Sequence, residues 1–171
     1  VPPLESVSHD PTPMAFADLD LASPLLRGVD DRGFVRTTPI QSAVIPLLLR
    51  GDDLIGCAQT GTGKTAAFLV PIIQRLLVLP RRSAGTRVLI LAPTRELAVQ
   101  IDEDFQGLAY HTGLTSVAVY GGVESGGQER GLRAGADVVV ATPGRLIDHM
   151  GTCSTRFDAL EVLVLDEADR M

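Results

Sequence analysis

Two stretches of this 171-residue sequence carry residue types able to act on a phosphorylated ligand: "AQTGTGKT" at 58–65 and "VLVLDEADRM" at 162–171. In the first, Gly61 and Gly63 permit backbone conformations closed to other residues, so successive N–H groups can point inward at phosphate oxygens. The N-terminus of a following helix adds partial positive charge. Lys64 then reaches the β- and γ-phosphates, and the Thr65 hydroxyl is placed to bind magnesium. Ala58 stands where the generic pattern has glycine. The alternative is a glycine-rich strand-to-helix turn that binds nothing.

In the second stretch Asp166 ends a run of β-branched and leucine residues. A carboxylate there, facing the phosphate loop, holds magnesium directly or through water. Glu167 beside it is placed to orient or deprotonate an attacking water. The competing reading is a helix N-cap, with Asp166 capping and acidic residues in the first turn. Composition favours the chemical reading of the loop: Lys64 is the only lysine among 15 basic residues. Where arginine fills every other basic position, a surviving lysine marks a cradle that suits a compact ammonium and that a planar guanidinium overfills.

These residues need a scaffold that brings them to one edge. Five short apolar runs read as strands, at 53–58, 87–92, 116–120, 136–141 and 160–165. Helical patterns lie between them, at 64–79, 94–110, 124–134 and 143–150. Strands alternating with helices imply parallel crossovers. "RVLILA", "DVVVA" and "VLVLD" are apolar on both faces, as strands covered by helices on each side must be. The expected class is α/β, a three-layer αβα arrangement with a mainly parallel sheet, and ligands in such sheets sit beyond the carboxyl ends of the strands. Upstream, "SPLLRGVDDRG" reads as a short helix with Ser23 as N-cap and Pro24 opening it, and "TPIQSAVIPLLLRG" as another between Thr38 and Gly51. Pro71 should kink the helix after the phosphate loop. Residues 1–15, with four prolines, read as a flexible lead-in to one domain over 16–171.

Bulk properties limit the partners. A net charge of −6 makes any nucleic-acid contact local. Cys57 and Cys153 are far apart and the histidines scattered, so no structural zinc site is expected. Cys57 falls in a predicted buried strand, where packing explains it. No apolar stretch reaches the roughly 20 residues needed to cross a bilayer, and no signal-like start is present, so a reduced, cytoplasmic protein is expected.

Taken together, "AQTGTGKT", "PTRELA" at 93–98, "GG" at 121–122, "TPGR" at 142–145 and "DEAD" at 166–169 resemble, in order, the motifs of the DEAD-box family of ATP-dependent RNA helicases. The resemblance runs from about Phe16 to the end. It implies a RecA-like P-loop NTPase domain, with ATP and Mg2+ as cofactors and RNA as partner. The loop from Ala58 through Gln59, Thr60, Gly61, Thr62, Gly63 and Lys64 to Thr65 would hold the triphosphate. Thr65 and Asp166 would serve the metal, with Lys64, Asp166 and Glu167 catalytic. "GFVRTTPIQ" at 33–41 resembles the adenine-reading Q motif, with Phe16 as its isolated upstream aromatic, although the usual first proline is Thr37 here. Phe34 would then lie against adenine and Gln41 would read its polar edge, since an amide offers donor and acceptor together. "TPIQ" is also a capping box, with Gln41 reaching back to the Thr38 amide, and the two roles can coexist.

The same resemblance gives Pro93, Thr94, Arg95, Gly122, Thr142, Gly144 and Arg145 to the sugar-phosphate backbone of single-stranded RNA, with little sequence preference. It gives Asp169 to coupling between domains. A Ser-Ala-Thr motif and a second, C-terminal RecA-like domain would be expected beyond Met171, and the strand leading to the first would lie between the phosphate-loop strand and the acidic strand. The sheet is thus expected to be incomplete, with ATP turnover negligible in this segment alone. A P-loop ATPase acting on DNA or protein, and a nucleotide-gated RNA-binding module without catalysis, are the alternatives.

Overall fold

Among the described residues four strands form one parallel sheet in the order β2-β3-β1-β4, where β1 is Val88–Leu91, β2 Ser116–Val119, β3 Val138–Ala141 and β4 Val162–Leu165. The structure is a computed structural model and describes residues 12–59, 61–80, 85–152 and 157–171. Part of the lead-in, Thr60, Arg81, Arg82 and Cys153 lie outside the described residues.

Among the described residues six α-helices accompany the strands: α1 (Ser23–Asp31), α2 (Pro39–Arg50), α3 (Lys64–Val78), α4 (Arg95–Leu108), α5 (Gly126–Ala134) and α6 (Pro143–Thr152). Side chains along a strand alternate between faces, and here each face meets a different helix layer. Val88, Ile90, Val138 and Val140 pack with Leu69 and Ile73 of α3 and Ile101 and Phe105 of α4. Leu89, Val139 and Ala141 pack on the other side with Leu132 of α5 and Leu146 of α6. The αβα arrangement expected from the double-sided apolar strands is the one observed.

Local chemistry sets the helix ends. The Thr94 side chain accepts the Leu97 N–H and starts α4. Gly51, at φ 90°, closes α2 by donating to the Leu47 and Leu48 carbonyls. Ala22, rather than Ser23, occupies the cap of α1, one residue from the expected start. The α3 helix runs unbroken through Pro71, which is buried in the core.

Three expectations need correction. The run at 53–58 forms no strand, and Ile55 is exposed. Its apolar pattern is strand-like, but a strand exists only where a neighbour takes its N–H and C=O groups, and none pairs with it among the described residues. Cys57 is consequently exposed, where packing in a buried strand had been expected. Thirdly, β4 is apolar on both faces in sequence yet covered on one: Val162 and Val164 pack on the core, while Leu163 stays 54% exposed and Leu165 is exposed beside it. Within the expected lead-in, Met14 is already held, since its carbonyl accepts the Thr37 N–H at 2.8 Å and Ala15 bridges Arg36.

Candidate nucleotide and nucleic-acid site

Because all three strand pairings are parallel, the four carboxyl ends open on one edge. Read along the strand order, that rim carries the "GG" turn after β2, "TPGR" after β3, "PTREL" after β1 and "DEAD" after β4. The acidic end is therefore at one side of the rim, and the three arginine- and glycine-bearing exits are neighbours along the rest.

The phosphate loop is built from the backbone outward. Gly61 (φ 80°) and Gly63 (φ 90°) both occupy the left-handed region, and Gly63 caps α3, whose first residue is Lys64. The Thr62 hydroxyl donates to the Gln59 carbonyl at 2.7 Å, closing the turn on itself. Two contacts tie this loop to α2: the Thr38 hydroxyl donates to the Thr62 carbonyl at 2.8 Å, and Gln41 Nε2 donates to the Gly63 carbonyl at 3.1 Å. Gln41 Oε1 also accepts the Thr38 N–H at 2.9 Å, the expected capping contact. Each end of the amide thus spends one hydrogen-bonding position and keeps one, and the side chain as a whole is only 4% exposed. Ala58 is half-buried and Gln59 exposed. The link from Thr38 to the loop was not anticipated; its capping role gave no hint of a second partner.

Phe16 and Phe34 stack with ring centroids 5.9 Å apart. Phe16 is only 1% exposed. Phe16, the upstream aromatic expected to serve the nucleotide site, is instead buried in the core behind the half-buried Phe34.

At the other end of the loop chemistry, Asp166 continues the β4 ladder by donating its N–H to the Leu91 carbonyl at 3.0 Å. Its Oδ1 accepts the Glu167 N–H at 3.0 Å. Burial pushes the Asp166 carboxyl above its usual range, against the opposing pull of that hydrogen bond and of the Lys64 charge, while the Glu167 charge adds to the rise. Asp166 thus lies within reach of the Lys64 charge. A desolvated carboxylate with too little compensating positive charge is suited to a cation. Magnesium is commonly held by one or two carboxylates plus phosphate oxygens, so Asp166 with Thr65 fits it without the multi-ligand cluster that is missing among the described residues. Glu167 is the one non-glycine residue with positive φ among those described, at 49°, and its Oε2 accepts from Arg170 Nη1 at 2.8 Å. It starts the short helical turn that holds exposed Asp169.

The arginine exits converge on the "GG" turn. A Cβ on Gly122, which has φ 84°, would lie 3.5 Å from Arg95 Nη1, and Arg145 Nη2 donates to the Val123 carbonyl at 3.5 Å. Arg95 also pairs with Glu96, whose hydrogen bond and charge raise the arginine further above its ordinary pKa. Pro93 and Thr94 lead into α4 and Thr142 into α6; Gly144 faces open space, with no atom placed to meet a Cβ. Arg145 Nε is buried without a hydrogen-bond partner among the described residues. Sequence reasoning missed Gln128 and His149 behind this turn. The available signal was a polar residue four before Leu132, on the apolar face of α5.

Comparison with known proteins agrees with this geometry. The DEAD/DEAH box helicase family model matches residues 38–171. The chain is 48% identical over 168 residues to a probable ATP-dependent RNA helicase DDX27 of Mus musculus, covering 98% of this chain and 22% of that protein. It is 51% identical over 158 residues to the ATP-dependent RNA helicase DRS1 of Pyricularia oryzae, covering 92% of this chain and 20% of the relative. It therefore spans about a fifth of the length of these curated relatives. Among solved structures, a DEAD box protein from the hyperthermophile Methanococcus jannaschii superposes with a TM-score of 0.83 at 36% identity, over 92% of this chain and 42% of that one. The scaffold is the RecA-like α/β domain, and with its motifs on one rim and its sequence matched over most of its length, this chain belongs to the DEAD/DEAH box helicase family.

Proposed function

We propose that this chain is the ATP-binding and RNA-contacting part of an ATP-dependent RNA helicase. The observation that carries the proposal is the phosphate loop itself, with Gly61 and Gly63 in the left-handed region, Lys64 opening α3 behind them, and the loop fastened to Gln41. Gln41 and Phe34 select adenine, and Gly61, Gly63 and Lys64 hold the phosphates. Mg2+, held by Thr65 and Asp166, would neutralise phosphate charge when bound. Glu167 positions water and accepts its proton. Arg95, Arg145 and the helix N-termini at Thr94 and Thr142 grip RNA phosphates, and the bare Gly122 and Gly144 allow a close backbone approach.

Contacts with the backbone alone make recognition largely independent of base sequence, and the 2′-hydroxyl favours RNA over DNA. Strand opening in the whole protein follows from a second domain closing over ATP and RNA, local bending of the duplex, and release after hydrolysis, with Asp169 linking the two domains. An arginine directed at the transferring phosphoryl group is worth about 10³–10⁵ in rate in comparable systems. Here Arg95 and Arg145 lie at the Gly122 turn and Arg170 pairs with Glu167. The 171 residues alone should therefore bind nucleotide and RNA weakly with negligible turnover.

The test is RNA-stimulated phosphate release by the intact protein, comparing ATP with GTP and RNA with DNA of one sequence. Glu167→Gln should abolish turnover while sparing ATP binding. Equal use of GTP, or equal stimulation by DNA, would point to another kind of P-loop ATPase.

A further inference from the structure

Two polar side chains are buried behind the "GG" turn, away from the nucleotide: Gln128 of α5, 7% exposed, and His149 of α6, 3% exposed. Gln128 Nε2 donates to the Tyr120 carbonyl at 3.0 Å, and Gln128 Oε1 lies 3.3 Å from His149 Nε2. A backbone carbonyl can only accept, so the amide must turn its NH2 toward Tyr120 and its oxygen toward the ring. That orientation requires the proton of His149 on Nε2. Burying such groups is costly unless each is satisfied, and here the satisfying partners belong to three separate elements.

These contacts close a circuit. Tyr120 is the residue before Gly121, and Val123 the residue after Gly122. The Tyr120 carbonyl is held from α5 by Gln128, the Val123 carbonyl from α6 by Arg145, and the two helices are joined by Gln128 and His149. α5 itself sits hard on the sheet, because a Cβ on Gly131 would come within 2.7 Å of Val117 Cγ2. A pair of glycines, one at φ 84°, has little stiffness of its own. Its position relative to the "TPGR" helix is set from outside.

We infer that Gln128 and His149 are positioning residues that brace the Gly121–Gly122 turn against the N-terminal end of α6, so that the two exits present one preformed surface to RNA. The inference rests on the RNA-contact reading of that rim. It also says which contact persists there: if Arg145 leaves Val123 for a phosphate, the Gln128 contact still holds the turn at Tyr120. A preformed surface spares RNA the cost of ordering the turn. The hydrogen bonds described for these two residues go to the turn and to each other rather than to the phosphate loop, so their removal should act on RNA and spare ATP.

The experiment uses the intact protein carrying Gln128→Met, similar in length but without either polar group, beside His149→Leu and His149→Gln. In the RNA-free protein, hydrogen exchange at the amides of Gly121 to Val123 should speed up about tenfold in Gln128→Met, with the peptide covering Gly61 to Ala67 unchanged. The RNA concentration for half-maximal ATPase stimulation should rise about tenfold, with kcat at saturating RNA and the KM for ATP within about twofold of wild type. His149→Gln, which keeps a donor for Gln128 Oε1, should stay near wild type where His149→Leu does not. The double variant Gln128→Met with His149→Leu should be no worse than Gln128→Met alone. Unchanged exchange at the turn in a folded variant overturns the brace. So does an equal rise in exchange at the phosphate loop, which marks general loosening. Should Gln128→Met fail to fold, the contrast between His149→Gln and His149→Leu decides alone. If the wild type shows no RNA dependence, the RNA reading of the rim fails, while exchange at Gly121 to Val123 still reports on the brace.

Discussion

Gln41 is fixed at both ends of its side-chain amide, donating to the Gly63 carbonyl at 3.1 Å and accepting from the Thr38 N–H at 2.9 Å. It is therefore a strut between α2 and the phosphate loop as well as a candidate reader of adenine. Gln41→Glu keeps the acceptor for Thr38 but sets a carboxylate against the Gly63 carbonyl. ATP affinity should fall about tenfold, as the loss of one hydrogen bond to a constrained group implies, and discrimination against GTP should fall with it. Titration with fluorescent ATP and GTP analogues checks this. Lost affinity with discrimination intact would leave the strut and remove the reader.

Gly63 should be intolerant for two separate reasons. Its φ of 90° is unfavourable for any L side chain, and a Cβ there would lie 2.5 Å from Gln41 Nε2. Gly63→Ala is expected to weaken ATP binding more than Gln41→Ala does, because it distorts the loop and displaces the strut together. The same titration, run with both variants, orders them.

The strand order was legible only in part. β1 and β3 were readable as strands covered on both sides since their residues are apolar without alternation, and both are buried on each face, whereas β4 shows the same pattern and is covered on one. The run at 53–58 has the same look, yet pairing depends on a neighbour that no local pattern encodes. The phosphate loop announced itself because its chemistry is contiguous in sequence. Gln128 and His149, 21 positions apart, did not, since a polar residue on a helix reads as surface until the packing around it is known.

One buried ion pair should dominate the stability of the far end of the sheet. Arg87, almost wholly buried, donates from Nε to Glu161 Oε1 at 2.7 Å and from Nη1 to the Leu76 carbonyl at 3.1 Å, joining α3, the start of β1 and the approach to β4. Arg87→Ala removes the partner that bonds both Glu161 carboxylate oxygens, leaving the longer pairing with Arg75 at 3.7 Å, and should cost about 3 kcal/mol, the low end for breaking a buried pair. Replacing both residues by leucine should cost less than that single change, because the half-buried carboxylate goes with its arginine and the Arg75 left behind is exposed to water. Urea unfolding of the two variants measures the difference.

Asp102 supplies a pH dependence whose sign can be fixed. Burial raises its carboxyl pKa, the nearby Ser116 hydroxyl and the hydrogen bond from Gln106 Nε2 at 2.8 Å oppose the rise, and the Glu103 charge adds to it. With the folded value above the unfolded one, the folded state binds the extra proton between them. The favourable contribution is present below the unfolded pKa and is lost as pH rises through the raised value. At neutral pH the buried charge is a burden that an amide lacks. Asp102→Asn should therefore melt higher than wild type at pH 7, with the gap closing below about pH 4, where both side chains are neutral. Melting curves across that range show whether the gap closes in that direction.

Lys64 should tolerate no substitution, arginine included. It opens α3 directly behind Gly63, and its charge acts on Asp166 as well as on whatever the loop holds. Arginine preserves the charge but replaces a compact ammonium with a planar fork, whose five donors suit carboxylates and open phosphates better than a closed ring of backbone N–H groups. If charge alone mattered, Lys64→Arg would behave as wild type and Lys64→Ala as a null. If the ammonium must fit within the loop, both should lower RNA-stimulated turnover of the intact protein by about 10²–10³, the usual effect of removing one electrostatic donor from a preorganised site. The lone lysine in an otherwise all-arginine set of basic residues supports the second outcome, and steady-state ATPase assays of the two variants decide between them.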